Sequence, residues 1–537
     1  MDTHFKMTVS QTPAINGPRV RAGGHAAARQ RAFTGEEIWN SRLYFPLVMG
    51  FSALCLFTGQ ELFGMLALVA FATYLQFTCS DLLANLLPIV LFILLGTKYY
   101  DNIAALLPIW WILPPFFASL LYNFLHWPVH IRKCACFKSL LAVSAAGLLG
   151  GVGVISAKEY FSFNGFMYAF GLGLGMLALA VMYSTNMARA HGYSVADRFC
   201  RILYCVGLFT GLVVVNYYLT HFAEFLSSET ILYIHFRNYL TTMLVLALPI
   251  PFRYVKNSRV HALAIAFMYA AMLLTGSRSA LVFGTVILFA GAFLTLAGGK
   301  KLGRRSLWLL AAFAVAAAVV ILALGQTVLN SRLVDGKLFP VTDSRILFLK
   351  QSVLDFLSSP INGIGLANMK NSQIFLGVGG SMVWYHNYFA QIIGSMGLIG
   401  VIAYGWLLRD RFQYLKTLHL SGETMLALSY LGILMVSMTN PGEFCPLPNE
   451  LLVVLLFDVA ETVRAARAES TVSGETTYVI WTPARRAVKA GVYLPLRGTV
   501  SVSSGSKSLA PLPDYADRPA ARADEARRAD RHAKDGL

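Results

Sequence analysis

The chain has 537 residues, of which 56% are hydrophobic and only 13% are charged. Soluble domains carry about 25% charged residues, so this composition excludes a soluble globular protein and predicts a polytopic membrane protein. The formal net charge of +17 would suit a nucleic acid, but the basic residues lie in short loops and tails between apolar segments, as in cytoplasmic loops. We therefore expect a lipid bilayer and no nucleic acid as the partner.

Apolar segments fill the chain between residues 38 and 463, which we take as the transmembrane domain. Residues 1–37 are polar and basic, which predicts a disordered cytoplasmic N-terminus without a cleavable signal peptide. A spanning helix needs about 20 apolar residues, and fourteen segments approach that length. The first three are short and close together, so the prediction is an all-α polytopic membrane protein with about 12–14 transmembrane helices. The predicted spans are 43–59, 62–79, 81–97, 103–125, 139–157, 166–187, 202–220, 239–255, 260–276, 280–298, 307–325, 388–408, 422–440 and 451–463.

Basic clusters recur after every second predicted span. By the positive-inside rule these clusters are cytoplasmic, and both termini are then cytoplasmic too. The clusters contain, among others, Arg132, Arg198, Arg253, Lys300 and Arg411. The opposite side then carries the loops near 221–238 and 277–279, a long loop 326–387, and the loop 441–450.

Two arginines fall on the predicted external side, where positive charge is sparse. Arg278 lies in the sequence TGSRSA (residues 275–280), between two apolar segments with almost no loop, and Arg237 immediately precedes another apolar segment. Each arginine is either a snorkelling membrane anchor or a substrate contact. Fixed guanidinium groups suit a phosphate or pyrophosphate, so we predict that both bind substrate.

The loop 326–387 is exceptional in its length, because loops beyond about 15 residues are usually functional or disordered. Residues 344–357 (SRILFLKQSVLDFL) place apolar residues at helical spacing. This pattern predicts an amphipathic helix that lies on the membrane surface or covers the bundle. Arg345 opens the helix, where a cation opposes the macrodipole, so binding to an anion or to the neighbouring Asp343 are both open explanations.

A histidine stands where the long loop meets the span 388–408. His386 titrates near neutral pH and is suited to removing a proton from a hydroxyl, although a hydrogen-bonded structural histidine is the alternative. Asn387 and Tyr388 are predicted to orient the ring or contact substrate, together with Tyr385. The loop acids form no Asp-x-Asp pair or other evident divalent-metal site. We therefore expect no metal and no cofactor, with arginines stabilising the charge that develops.

Two further features of the C-terminal half are a set of regularly spaced glycines and a polar tail. Gly394, Gly397 and Gly400 recur at a spacing of three, which predicts close approach of another helix. Residues 464–537 have mixed charges and few apolar runs, which predicts a mostly disordered cytoplasmic tail.

The quoted motifs resemble those of the bacterial O-antigen ligase family, whose relatives include Wzy-type polymerases and protein O-oligosaccharyltransferases. The resemblance rests on HN at residues 386–387 followed after nine residues by GLIG at 397–400, on TGSRSA, and on PINGIG at residues 360–365. It extends over residues 230–460. The TGSRSA segment is common to the whole superfamily, whereas the histidine motif favours the ligases.

The resemblance implies a GT-C-like enzyme of the bacterial inner membrane with its active site facing the periplasm. Such an enzyme transfers a glycan from undecaprenyl pyrophosphate to a sugar hydroxyl of lipid A–core, without metal and with inversion of the anomeric centre. It further implies that His386 is the general base and that Arg278 holds the pyrophosphate. Arg237 is assigned to the same pyrophosphate with less support from its surroundings.

Two groups of alternatives stay open. The first shares the chemistry: a polymerase that joins two lipid-linked glycans, or a transferase to protein. The second is a lipid-linked glycan flippase or another transporter. A transporter should show internal repeats and charged or broken helices near the midplane, and the first two-thirds of this sequence shows neither, which favours the enzyme.

Overall fold

The structure is a computed structural model, and most of the predicted membrane domain lies within its described part. The predicted span 307–325, Arg278 and much of the long loop lie outside the described residues, as do residues 1–33 and 473–537. The described residues are 34–127, 130–161, 163–187, 195–227, 232, 234, 236–255, 257–277, 280–297, 344–366, 385–420, 423–440 and 442–472.

Every regular element within those ranges is a helix, which confirms the predicted all-α polytopic membrane protein. Among the described residues, five helical stretches are long and apolar enough to cross a membrane by length and composition: Glu61–Thr78, Leu106–His126, Gly165–Met187, Val195–Thr220 and Tyr388–His419, the last of which is interrupted at Gly397. Six shorter apolar helices match most of the other predicted spans: Tyr44–Phe57, Leu83–Tyr99, Phe137–Gly151, Val260–Leu274, Val282–Leu296 and Thr424–Ser437.

The α-helices are numbered here in chain order. They are α1 (Gly35–Asn40), α2 (Tyr44–Phe57), α3 (Glu61–Thr78), α4 (Leu83–Gly96), α5 (Leu113–His126), α6 (Phe137–Ala146), α7 (Phe163–Phe170), α8 (Met176–Met187), α9 (Val195–Thr220), α10 (Phe222–Ser227), α11 (Arg237–Ala247), α12 (Ile250–Tyr254), α13 (Val260–Leu274), α14 (Thr285–Ala297), α15 (Ser344–Ser358), α16 (Tyr388–Leu420), α17 (Thr424–Ser437) and α18 (Leu451–Val472). Segments of 3₁₀ helix are Thr97–Ile112, Lys158–Tyr160 and Gly442–Phe444, and π-turns are Gly147–Gly151, Gly171–Gly175, Ala280–Gly284 and Pro446–Glu450.

Helix α1 is fixed to the bundle by a buried polar cluster. The indole of Trp39 donates to Asp81 Oδ2 at 2.9 Å, and the Arg198 guanidinium pairs with the same carboxylate at 3.2 Å. Arg198 also stacks over the Trp39 ring, 4.8 Å from its centroid. The helical bundle therefore begins before the predicted boundary at residue 38, and α18 likewise continues past the predicted boundary at residue 463.

Side chains from several basic clusters meet at one end of the bundle. Tyr254 donates to Asp197 at 2.9 Å, so the start of α9, which carries Arg198, lies beside α12. Arg253 of α12 in turn pairs with Glu423 at the start of α17. The positive-inside rule requires these basic clusters to lie on the same side of the membrane. Their position at one end of the bundle agrees with that rule. That this end is cytoplasmic stays a prediction.

Helix α16 does not form one straight span. Gly397 within it has φ 58° and ψ −151°, and the rings of Tyr388 and Tyr404 lie 6.0 Å apart. A straight helix would separate positions 388 and 404 by about 24 Å. The two halves of α16 thus fold back on each other, and the predicted continuous span 388–408 is wrong.

The turn after α17 is also buried rather than external. Helix α17 has 14 residues and is about 21 Å long, shorter than the roughly 30 Å hydrocarbon core of a bilayer. The residues after it are buried in the bundle, where Phe444 packs 5.2 Å from Tyr388 and 5.5 Å from Tyr404 between ring centroids.

A buried ion-pair cluster sits in this turn. The Arg411 side chain is 1% exposed and pairs with Glu443 and, at 2.7 Å, with Glu450. The sequence predicted Arg411 in a cytoplasmic loop and both glutamates in an external loop on the opposite side of the membrane. That prediction is wrong, because all three side chains meet in the interior of the bundle.

Candidate functional site

His386 has a strained backbone at the junction of the long loop and α16. Its φ is 53°, in the left-handed region that costs about 1–2 kcal/mol for a residue with a Cβ. Such strain persists only where the surroundings enforce it, and it clusters at functional sites. The half-buried imidazole lies 5.4 Å from the Phe348 ring of α15 between centroids. The histidine loop (residues 385–387) is therefore packed against the helix predicted in the long loop.

Asn387 anchors the C-terminal side of the histidine. Its Nδ2 donates to the Met438 carbonyl at 3.0 Å. Its Oδ1 accepts from the Ala390 backbone N–H at 3.0 Å, as an N-cap residue does. Both ends of the amide are thus used in the structure, which favours an anchoring role for Asn387 over the predicted substrate contact.

Tyr385 anchors the N-terminal side. Its backbone N–H donates to Gln391 Oε1 at 3.0 Å, and its hydroxyl donates to Asp355 Oδ2 of α15. The other oxygen of Asp355 accepts from Gln351 Nε2 at 2.6 Å. Burial raises the pKa of the Asp355 carboxyl, although both hydrogen bonds oppose this shift. The pKa of Tyr385 is raised by burial and then by the Asp355 charge.

The polar face of α15 points inward and its apolar face points outward. Gln351 and Asp355 are buried, whereas Leu349, Val353 and Leu357 are 48%, 44% and 66% exposed. The predicted amphipathic helix 344–357 is therefore present. Sequence analysis did not select Gln351 and Asp355 as site residues, although their i, i+4 spacing on the polar face was the available signal.

Gly397 of α16 accommodates a turn rather than another helix, whereas Gly394 faces the Tyr385 ring and Gly400 faces Met396 of the same element. A Cβ on Gly397 would lie 2.7 Å from the carbonyl oxygen of Ile361, and one on Gly363 would lie 2.3 Å from the carbonyl carbon of Ser395. The turn 360–365 therefore lies backbone to backbone on the break in α16. The hydrogen bonds between them are Ile364 N to Gly394 O (3.1 Å), Gly365 N to Ser395 O (2.9 Å), Leu398 N to Pro360 O (2.8 Å) and Ile399 N to Ile361 O (3.2 Å).

The two predicted arginine segments lie side by side. Arg237 is the first residue of α11 and is half-buried. Asn238, next to it, accepts from the Ser277 hydroxyl at 3.3 Å, which brings the TGSRSA segment to the start of α11. Arg278 itself lies outside the described residues, and Arg345 lies in the first turn of α15 with its side chain outside the described part.

Helix α17 connects the arginine segments to the histidine loop. A Cβ on Gly432 would lie 2.9 Å from Val245 Cγ1, so α11 packs closely on α17. Met438, directly after α17, is the residue that accepts from Asn387. The arginine segments and the histidine loop thus both contact α17 or the residue directly after it.

Tyr388 has a different environment from the one predicted. It is fully buried, and its ring contacts those of Tyr404 and Phe444. This burial favours a packing role over contact with a substrate. Among the described residues, no group of three or more His, Cys, Asp or Glu side chains is placed to hold a metal ion.

Comparison with known proteins agrees with the motifs. The family model described as O-antigen ligase matches residues 263–405. No curated protein matches the chain. The matched segment contains TGSRSA, the turn 360–365 and the histidine motif, which carry the resemblance in the sequence, and it also contains helix α15. Residues 263–405 are therefore similar to the O-antigen ligase family, and the rest of the chain lies outside this match.

Proposed function

We propose that this protein transfers a glycan from undecaprenyl pyrophosphate to a sugar hydroxyl of lipid A–core at the periplasmic face of the inner membrane. The family indicates a membrane-bound, glycosyltransferase-like enzyme of the ligase or polymerase type, and the donor and acceptor are our inference. The observation that supports it best is the strained His386, which lies inside the matched segment and is anchored on both sides.

In the proposed reaction His386 is the general base. Its imidazole takes the proton of the acceptor hydroxyl, and the hydroxyl oxygen attacks the anomeric carbon from the face opposite the pyrophosphate. The bond between the anomeric carbon and the pyrophosphate oxygen breaks, and undecaprenyl pyrophosphate leaves with the bonding electrons. The anomeric centre is inverted because attack and departure occur on opposite faces.

Arginines hold the pyrophosphate in this proposal. A guanidinium matches two phosphate oxygens at once and stays charged, so Arg237 and Arg278 stabilise the leaving group as its charge grows. The contact between Asn238 and Ser277 supports a shared role, because it joins the two segments. Arg345 is a third candidate contact. With His386 as the base and the arginines on the pyrophosphate, the proposed reaction requires neither a metal nor a cofactor.

The experiment is transfer by the purified protein from an undecaprenyl-linked glycan to lipid A–core, with and without EDTA. We expect glycosylated lipid A–core in both conditions. Elongated lipid-linked glycan instead of that product would assign a polymerase, and the absence of any transfer would contradict the proposal.

Two histidine variants test the base. We expect His386→Ala to bind the lipid-linked donor but to lose transfer, since no group remains to take the proton. The control is His419→Ala, because His419 is an exposed histidine near the far end of the same helix, α16. Full activity in His386→Ala would exclude this histidine as the base.

A further inference from the structure

We propose that Tyr385 and Asp355 form a positioning pair that fixes the imidazole of His386, so that α15 acts as a support for the catalytic base. This inference rests on the proposed function, because it takes His386 to be that base. Neither member of the pair takes part in the chemistry. Each acts through the histidine backbone.

The first argument is the strain at His386. A left-handed backbone there costs about 1–2 kcal/mol, and it needs fixed attachments on both sides. Asn387 supplies one attachment, through Met438. Tyr385 supplies the other, because its hydroxyl reaches out of the loop to Asp355 of α15.

The second argument is the cost of the polar contact. Asp355 is 4% exposed, and burying a carboxylate costs several kcal/mol. Stability alone does not explain the polar contact, because buried ionic groups can often be replaced by well-packed apolar ones without loss of stability. A directional contact, by contrast, fixes the ring of Tyr385 to one geometry, and Gln351 fixes the carboxylate that receives it.

The absence of a side chain at Gly394 leaves room for the Tyr385 ring. A Cβ on Gly394 would lie 2.9 Å from two ring carbons of Tyr385 and 3.0 Å from its hydroxyl oxygen. The ring is thus held between α15 and the first half of α16. A side chain at position 394 would push it away from Asp355.

The test removes single polar groups without changing shape. Tyr385→Phe deletes only the hydroxyl. Its matched control is Tyr183→Phe, because Tyr183 is also buried and its hydroxyl donates to Asn85 at 2.6 Å in another part of the bundle. For both variants we would measure kcat, the KM for the lipid-linked donor, and the unfolding temperature.

We expect Tyr385→Phe to lower kcat roughly 10- to 100-fold at unchanged KM, because misplacing a catalytic group by about 1 Å costs up to about 100-fold. Tyr183→Phe should show a similar shift in unfolding temperature and a wild-type kcat. A kcat for Tyr385→Phe within about twofold of wild type, or an equal fall of kcat in Tyr183→Phe, would overturn the proposal.

Asp355→Leu provides a second route that does not depend on the phenylalanine variant folding, because leucine has a similar shape and no oxygen to accept from Tyr385 or Gln351. It should lower kcat in the same way, and the double variant with Tyr385→Phe should lose no more than the larger single loss, since the two side chains act as one contact. Independent, additive losses would refute the pair. If the wild-type protein transfers glycan and His386→Ala does not, normal rates in both variants would refute the positioning pair alone.

Discussion

Replacing Gly397 by alanine tests the folded-back form of α16. Its φ of 58° and ψ of −151° are essentially restricted to glycine and cost other residues about 1–3 kcal/mol. An added Cβ would lie 2.7 Å from the carbonyl oxygens of Pro360 and Ile361. Those carbonyls accept hydrogen bonds from Leu398 and Ile399, and losing both costs about 0.5–1.5 kcal/mol each. We expect a total loss of about 2–6 kcal/mol.

Thermal unfolding of the purified protein measures this loss against a control in the same helix. At Gly405 an added Cβ meets nothing within 4 Å, and alanine in place of a helical glycine stabilises by about 0.5–1 kcal/mol. Gly397→Ala should therefore unfold at a lower temperature than wild type, and Gly405→Ala at the same or a higher one. Equal unfolding temperatures for the two variants would show that α16 does not fold back at Gly397.

Three further predictions concern single charged side chains. Arg411→Met should lower the free energy of unfolding by about 3–5 kcal/mol, because Glu443 and Glu450 would stay buried without their cation; a wild-type thermal transition would contradict this. Burial raises the pKa of Asp355 above 3.8, so the free energy of unfolding should fall as the pH rises from 3.8 through the folded-state pKa. The Asp355→Asn variant should lack this fall in the free energy of unfolding. If chemical denaturation gives the variant and the wild type the same pH dependence, the prediction is wrong. Arg237→Lys should raise the KM for the donor about tenfold, because lysine cannot make a two-pronged phosphate contact; an unchanged KM would identify a membrane anchor.

The helices were predictable because their signal is local. Apolar composition over about 20 residues and the 3.6-residue period are properties of short windows. Helix α15 illustrates this, since the predicted range 344–357 matches the observed Ser344–Ser358 closely. The histidine and arginine motifs were also recognisable from short sequences, and the family match at residues 263–405 agrees with them.

The break in α16 was not predictable from hydropathy. Residues 388–408 are apolar throughout, and apolarity does not report the backbone angles of Gly397. The spacing of its glycines predicted the close approach of another helix, but the close neighbour of Gly397 is the turn 360–365. The contact joins segments far apart in the sequence, and no short window contains both.

The predictions for charged residues failed where the partner residue is distant in the sequence. Arg411 looks like a member of a cytoplasmic cluster because Arg409 and Lys416 flank it. Its partners, Glu443 and Glu450, belong to another part of the chain. Asp355 was overlooked for the same reason, because its significance depends on Tyr385, thirty positions away.

The two faces of α15 place exposed apolar side chains and the histidine loop on opposite sides of one helix. Any acyl or isoprenoid chain that covers Leu349 and Leu357 is separated from the His386 loop by a single helix diameter, about 10 Å. In the proposed reaction, the carrier lipid could therefore keep its tail against the apolar face while its headgroup reaches the imidazole. In the same reaction, any tilt of α15 would also displace the histidine loop, because Tyr385 is hydrogen-bonded to Asp355.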